Sequence, residues 1–241
     1  MTHRRRLKTR VFPFDFDRLS KTGATLLILF LDTADTKVWD QLSGTGYWAG
    51  ITTNPLLLQR AGVACTLANL AALYDTAMAL GYPTLHVQVF GDDWVQCGRD
   101  ILALGPHTRV KIPAIERGFK AAHAIACPER TTFTAVYATG QVMAASAFGA
   151  AYCAPYYARL SEASGAAHAD SAFSQMASAA THTQLLIASL RSVEQVADLA
   201  GRGFDCFALP PAIATAWTDP ALALAAVDDF EMAARTQLPP L

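Results

Sequence analysis

Short apolar runs of strand length alternate with longer alanine- and leucine-rich stretches from one end of this chain to the other, and that alternation restricts the possible folds more than any other feature. The runs lie near 26–33, 47–53, 84–90, 108–113, 131–137, 152–156, 184–190 and 205–209. Helical stretches are read at 36–44, 66–80, 92–104, 117–126, 139–150, 167–181, 192–201 and 211–217, with a final helix near 220–235 that Asp219-Pro220 announces. A helix between two strands carries the chain back across the sheet, so successive strands run parallel. Eight such units predict a closed (β/α)8 TIM barrel, α/β in class. With 52% hydrophobic and 16% charged residues, 241 residues can bury one large core, and no linker or low-complexity tract divides them. The expectation is a single barrel domain over 25–241. Residues 1–24, with mixed charge and Phe12, Phe14 and Phe16, form an N-terminal extension that is either an arm packed on the barrel or disordered.

A net charge of -1 gives no overall basic field, which argues against nucleic acid as a partner; the basic run Met1-Thr-His-Arg-Arg-Arg-Leu-Lys-Thr-Arg10 reads as a solvated terminus. Cys65, Cys97, Cys127, Cys153 and Cys206 show no paired spacing, which fits free thiols in a reducing, cytoplasmic setting better than a disulfide framework. Leu26 to Leu31 is too short to span a bilayer, which takes roughly 20 apolar residues, and reads as a buried strand, so no membrane partner is expected. The six histidines lack metal-ligand spacing with acidic or cysteine partners, and no catalytic metal or other cofactor is predicted.

In a barrel of this kind the active site is built where strands end, so polar residues closing the strands are the candidates for chemistry. Lys111, in Arg109-Val-Lys-Ile-Pro113, would carry its amine to the barrel mouth, where low dielectric favours the neutral, nucleophilic form that adds to a ketone; the bland alternative is a snorkelling surface lysine. Asp32 could move a proton at a substrate hydroxyl, as retro-aldol cleavage requires, or could cap the next helix, a role Asp35 could equally fill. Asn54, in Gly50-Ile-Thr-Thr-Asn-Pro55, could hold a substrate hydroxyl or simply form a turn, with Thr52 and Thr53 alternating between interior and exterior. Gln88 needs a partner inside an apolar strand, and Thr134 and Tyr156 offer hydroxyls that could position the same water. Arg159, Ser189 and Arg191 follow the sixth and seventh strands, where barrels often bind phosphate, although each arginine alone would pass for a surface ion-pair partner.

Together these residues resemble the transaldolase family, and within it the fructose-6-phosphate aldolase-like branch. The resemblance runs from about Leu26 to the end through an ordered set of motifs: Leu31-Asp-Thr-Ala-Asp35, Gly50-Ile-Thr-Thr-Asn-Pro55, Val110-Lys-Ile-Pro113, Thr134-Ala-Val-Tyr137, Ala154-Pro-Tyr-Tyr-Ala-Arg159 and Ala188-Ser-Leu-Arg191. It implies a Schiff base on Lys111, Asp32 as acid/base, Asn54 on the substrate hydroxyls, and Arg159, Ser189 and Arg191 on the phosphate of a sugar phosphate; Thr53, at the same strand end as Asn54, is a further candidate for substrate binding. It also implies a homo-oligomer, in which the 220–236 segment could reach a neighbour. Transaldolases of the family usually carry Glu and Phe where this chain has Gln88 and Tyr156, whereas its aldolases carry Gln and Tyr. The resemblance therefore leans to cleavage or formation of fructose 6-phosphate from dihydroxyacetone and glyceraldehyde 3-phosphate, with transfer of the dihydroxyacetone unit, and a non-catalytic sugar-phosphate-binding barrel, as alternatives. Residues 1–24, Tyr157-Ala158 and the 161–169 segment depart from the family pattern, and the last two bear on the acceptor side.

Overall fold

The computed structural model describes residues 27–236; the extension at 1–24 lies outside them. Eight parallel strands, β1 (Ile28–Asp32), β2 (Trp48–Thr52), β3 (Leu85–Gln88), β4 (Thr108–Pro113), β5 (Thr131–Val136), β6 (Tyr152–Pro155), β7 (Gln184–Leu185) and β8 (Cys206–Leu209), are ordered β7-β6-β5-β4-β3-β2-β1-β8. Closure comes from Ile187, which bridges to Phe207: its N–H donates to the Cys206 carbonyl and its carbonyl accepts from Ala208, each at 2.8 Å. The result is a single-domain (β/α)8 barrel.

Strand parity divides the side chains. On β4, Val110 and Ile112 face the helices and are fully buried in the core between sheet and helix layer, while Lys111 faces the lumen. The lumen below the site is filled by a separate cluster that includes Phe30, Tyr152, Leu186 and Ala208, so the barrel is packed rather than open. His86 lies in this filling, its ring 4.7 Å from that of Phe30 and 5.3 Å from that of Tyr152. Burial, and the charges of Arg109 and Lys111, hold its imidazole well below its ordinary pKa and therefore neutral.

The outer layer consists of α1 (Thr36–Leu42), α3 (Leu67–Ala79), α4 (Trp94–Ala103), α5 (Glu116–Ile125), α6 (Thr139–Phe148), α8 (Ala166–Ala179) and α9 (Val193–Gly201). Three short helices stand at the strand ends: α2 (Pro55–Arg60), α7 (Tyr157–Ser164) and α10 (Pro211–Ala216). A fourth element, α11 (Ala221–Arg235), buries none of its residues. The 161–169 segment, which departs from the family pattern, holds the end of α7 and the start of α8 around Gly165, whose φ of 87° ends one helix and admits the next. The seventh strand is shorter as a ladder than its apolar run, continuing past Leu185 only as single bridges from Ile187 to Phe207 and from Ala188 to Tyr156.

Candidate active site

A cavity of about 350 Å³ opens at the C-terminal ends of the strands, and Asp32, Asn54, Lys111, Tyr156, Arg159, Ser189 and Arg191 all line it. Seven residues drawn from five separate strand ends thus meet in one place. Lys111 is only 4% exposed. Burial pushes its amine below the ordinary pKa of 10.5, and the Asp32 carboxylate opposes that shift without forming an ion pair with it. An amine so placed loses its proton more readily than a surface lysine and keeps its lone pair for a carbonyl carbon.

Asp32 closes β1 and accepts a hydrogen bond from the Thr52 hydroxyl on β2. Capping of the following helix falls instead to Asp35, whose Oδ1 accepts from the Lys37 N–H at 2.9 Å. The division leaves Asp32 facing the cavity. Asn54 caps α2: its Oδ1 accepts from the Leu57 N–H at 3.0 Å, which leaves its amide N–H groups unused by the cap beside the cavity that it lines.

Tyr156 and Thr134 share a hydrogen bond of 2.8 Å across β5 and β6. Burial raises the Tyr156 phenol above its ordinary pKa, so it stays protonated and can donate. The Arg159 guanidinium lies over its ring at 5.0 Å. Gln88 is the register partner of Lys111 in the β3–β4 ladder, one strand from the amine, but neither it nor Thr134 lines the cavity. Thr53 stands apart: its side chain is fully buried and donates to the His86 carbonyl at 3.2 Å, so it is Thr52 that faces Asp32.

Where the chain leaves β7, Ser189 adopts a φ of 60°, strained for a serine, and its buried hydroxyl has no partner among the described residues. The Arg191 guanidinium is held by Glu162 of α7, Nε to Oε1 at 3.0 Å. Sequence reasoning missed Thr52 as the partner of Asp32, Glu162 as the partner of Arg191, and Arg60, Asp35 and Val38 as cavity residues. Among these only Thr52 was open to strand parity; the rest arrive through helix geometry.

Over residues 29–237 the chain matches the family model described as transaldolase/fructose-6-phosphate aldolase. A protein of Phenylobacterium zucineum named a probable transaldolase is 30% identical over 191 residues, covering 76% of this chain and 85% of that protein. A probable transaldolase of Bacteroides fragilis is 29% identical, over 75% and 85% of the two chains. Among solved structures, a HpcH/HpaI aldolase/citrate lyase family protein from Burkholderia cenocepacia superposes with a TM-score of 0.61 at 12% identity, over 88% of this chain and 99% of that one, a likeness of fold alone. The chain belongs to the transaldolase/fructose-6-phosphate aldolase family and is an enzyme of that family.

Proposed function

We propose that this enzyme is a class I aldolase that cleaves or forms fructose 6-phosphate, yielding dihydroxyacetone and glyceraldehyde 3-phosphate, through a Schiff base on Lys111. The observation that carries the reading is the buried Lys111 amine, lowered in pKa by desolvation and facing the Asp32 carboxylate across the mouth of the barrel. The neutral amine adds to the C2 carbonyl, and loss of water gives the iminium. Asp32 takes the proton from the C4 hydroxyl as the C3–C4 bond breaks, and the iminium receives the electron pair as an enamine. Protonation of that enamine at carbon and hydrolysis then free dihydroxyacetone. The Tyr156–Thr134 pair, with Gln88 one strand away, is suited to hold the water for these last steps, while Arg159, Ser189 and Arg191 take the phosphate.

The reading includes a cytoplasmic setting, on five cysteines without paired spacing, and a homo-oligomer, on the undocked α11. No helix among the described residues is long and apolar enough to cross a membrane. The names of the relatives favour a second reading, in which the enamine passes to an aldose phosphate rather than to a proton.

One assay separates them: glyceraldehyde 3-phosphate release from fructose 6-phosphate, with and without erythrose 4-phosphate. Release without acceptor, accompanied by free dihydroxyacetone, is the expected result; release only with acceptor makes the enzyme a transaldolase. In either case Lys111→Arg abolishes turnover and borohydride-trapped adduct, because a guanidinium stays protonated and cannot add to the carbonyl. Turnover retained in that variant would overturn both readings.

A further inference from the structure

Arg60 is the one cationic residue of the cavity wall that neither the motifs nor the proposed chemistry uses. It ends α2, a helix of six residues that Asn54 caps at its start and that stops at Ala61, just before Gly62 with its φ of 70°. The helix serves as cavity wall: Leu56, Leu57, Arg60 and Ala61 all line the cavity, with Arg60 as its only charge. Arg60 makes no ion pair or hydrogen bond among the described residues, in contrast with Arg191, whose guanidinium is already held by Glu162 at 3.0 Å. It also enters from the β2 side, whereas Arg159 and Arg191 enter after β6 and β7. Of the three arginines that line the cavity, Arg191 is tied to a carboxylate and Arg60 and Arg159 have none among the described residues.

A phosphate monoester is close to a dianion at neutral pH, and because Glu162 already balances the charge of Arg191, the pair Arg159 and Arg191 leaves about half of the phosphate charge unmatched. We propose that Arg60 is a specificity-determining residue that binds the phosphate of the aldehyde half of the substrate together with Arg159, from the opposite rim. This inference rests on the reading of the site as a sugar-phosphate aldolase or transaldolase. It assigns α2 a function in substrate choice: the helix brings a cation to the mouth and leaves Lys111 and Asp32 untouched, so the residue discriminates phosphorylated from unphosphorylated aldehydes without taking part in bond cleavage.

The test compares the full chain with Arg60→Gln and Arg60→Lys. For aldol addition of dihydroxyacetone, the ratio of kcat/KM for glyceraldehyde 3-phosphate to that for glyceraldehyde falls about 30-fold in Arg60→Gln, the effect of one lost charge-assisted contact, and recovers in part in Arg60→Lys. The loss appears in KM for the phosphorylated aldehyde, and kcat/KM for glyceraldehyde itself stays within about twofold. A ratio unchanged in Arg60→Gln, or an equal fall for both aldehydes, overturns the inference. A second measurement needs no turnover: inorganic phosphate raises the Tm of the unmodified protein, and the rise shrinks in Arg60→Gln. Borohydride trapping of dihydroxyacetone on Lys111 reports on the underlying chemistry alone. Absent trapping with a phosphate response lost in Arg60→Gln would end the aldolase reading and keep the anion site. Trapping present with an unaltered phosphate response would do the reverse.

Discussion

The buried Lys111 amine, the nucleophile of the proposed mechanism, carries a cost in stability. It has a folded-state pKa below the ordinary 10.5, so over the window between the two values the unfolded chain binds the extra proton and stability rises with pH. Below the lowered pKa the desolvation cost is present in full; above 10.5 it has vanished. Lys111→Met, similar in length and without a charge to bury, is therefore expected to raise Tm at neutral pH while abolishing turnover, and to lose that advantage in strongly alkaline buffer. A Tm profile of both proteins against pH checks this, and a lower Tm for the variant at neutral pH would mean that the amine is held by contacts that more than offset its burial. The phenol of Tyr156 makes a different prediction. Because burial keeps it protonated and Thr134 shares a hydrogen bond with it at 2.8 Å, Tyr156→Phe should leave the Lys111 adduct intact but slow release of free dihydroxyacetone about 100-fold, as expected for loss of a positioned proton donor. Adduct trapping and product release, measured on the same preparation, separate the two steps.

At the scale of the element, the ends of strands decide the site, and the segment after each strand fixes where its last side chains point. Immediately after β4, Gly118 of α5 packs so closely on Pro113 that a Cβ there would collide with the Pro113 carbonyl oxygen, which is backbone and cannot yield. Gly118→Ala should therefore push α5 off the end of the strand that carries Lys111, costing about 1–3 kcal/mol and lowering kcat along with Tm; chemical denaturation gives the first quantity and initial rates the second. The strands are legible in the sequence because each is a short apolar run, and the candidate site residues are legible because they lie near or just beyond the ends of those runs: Asp32, Asn54, Lys111, Tyr156 and Arg159 all reach one cavity. The features that the sequence hides are short and aperiodic. The run Leu56-Leu57-Leu58 has neither a helical stripe nor a strand's alternation, so α2 and its Arg60 leave no periodic signal. The polar Ser161-Glu-Ala-Ser164 disguises the end of α7, and with it the pairing of Glu162 to Arg191. Thr52 and Thr53 are the same residue type at one strand end, so only the register tells them apart: it pairs Thr52 with Asp32, while Thr53 donates to the His86 carbonyl.

For the whole molecule, the barrel accounts for every described helix except α11. That helix runs 15 residues without burying one of them, and Leu222, Phe230 and Met232 are 86%, 70% and 64% exposed. A helix of about 15 residues is marginal in water without tertiary contacts, and apolar side chains facing solvent give it no support of its own. Docking onto a second copy of the chain would supply that support, which is the physical content of the homo-oligomer in the proposed function. No α11 residue lines the cavity, so assembly and chemistry should separate. Phe230→Asp places a charge in the middle of the exposed apolar surface and should shift the sedimentation coefficient from that of an oligomer to that of a single chain, because a buried unpaired carboxylate costs more than such an interface can offset. Its kcat/KM should stay within about threefold of the unmodified protein, since each barrel holds its own complete set of Asp32, Asn54 and Lys111. A large loss of activity on dissociation would place a neighbour's residue at the cavity mouth, and an unmodified protein that already sediments as a monomer would remove the oligomer from the reading while leaving the chemistry of Lys111 as it stands.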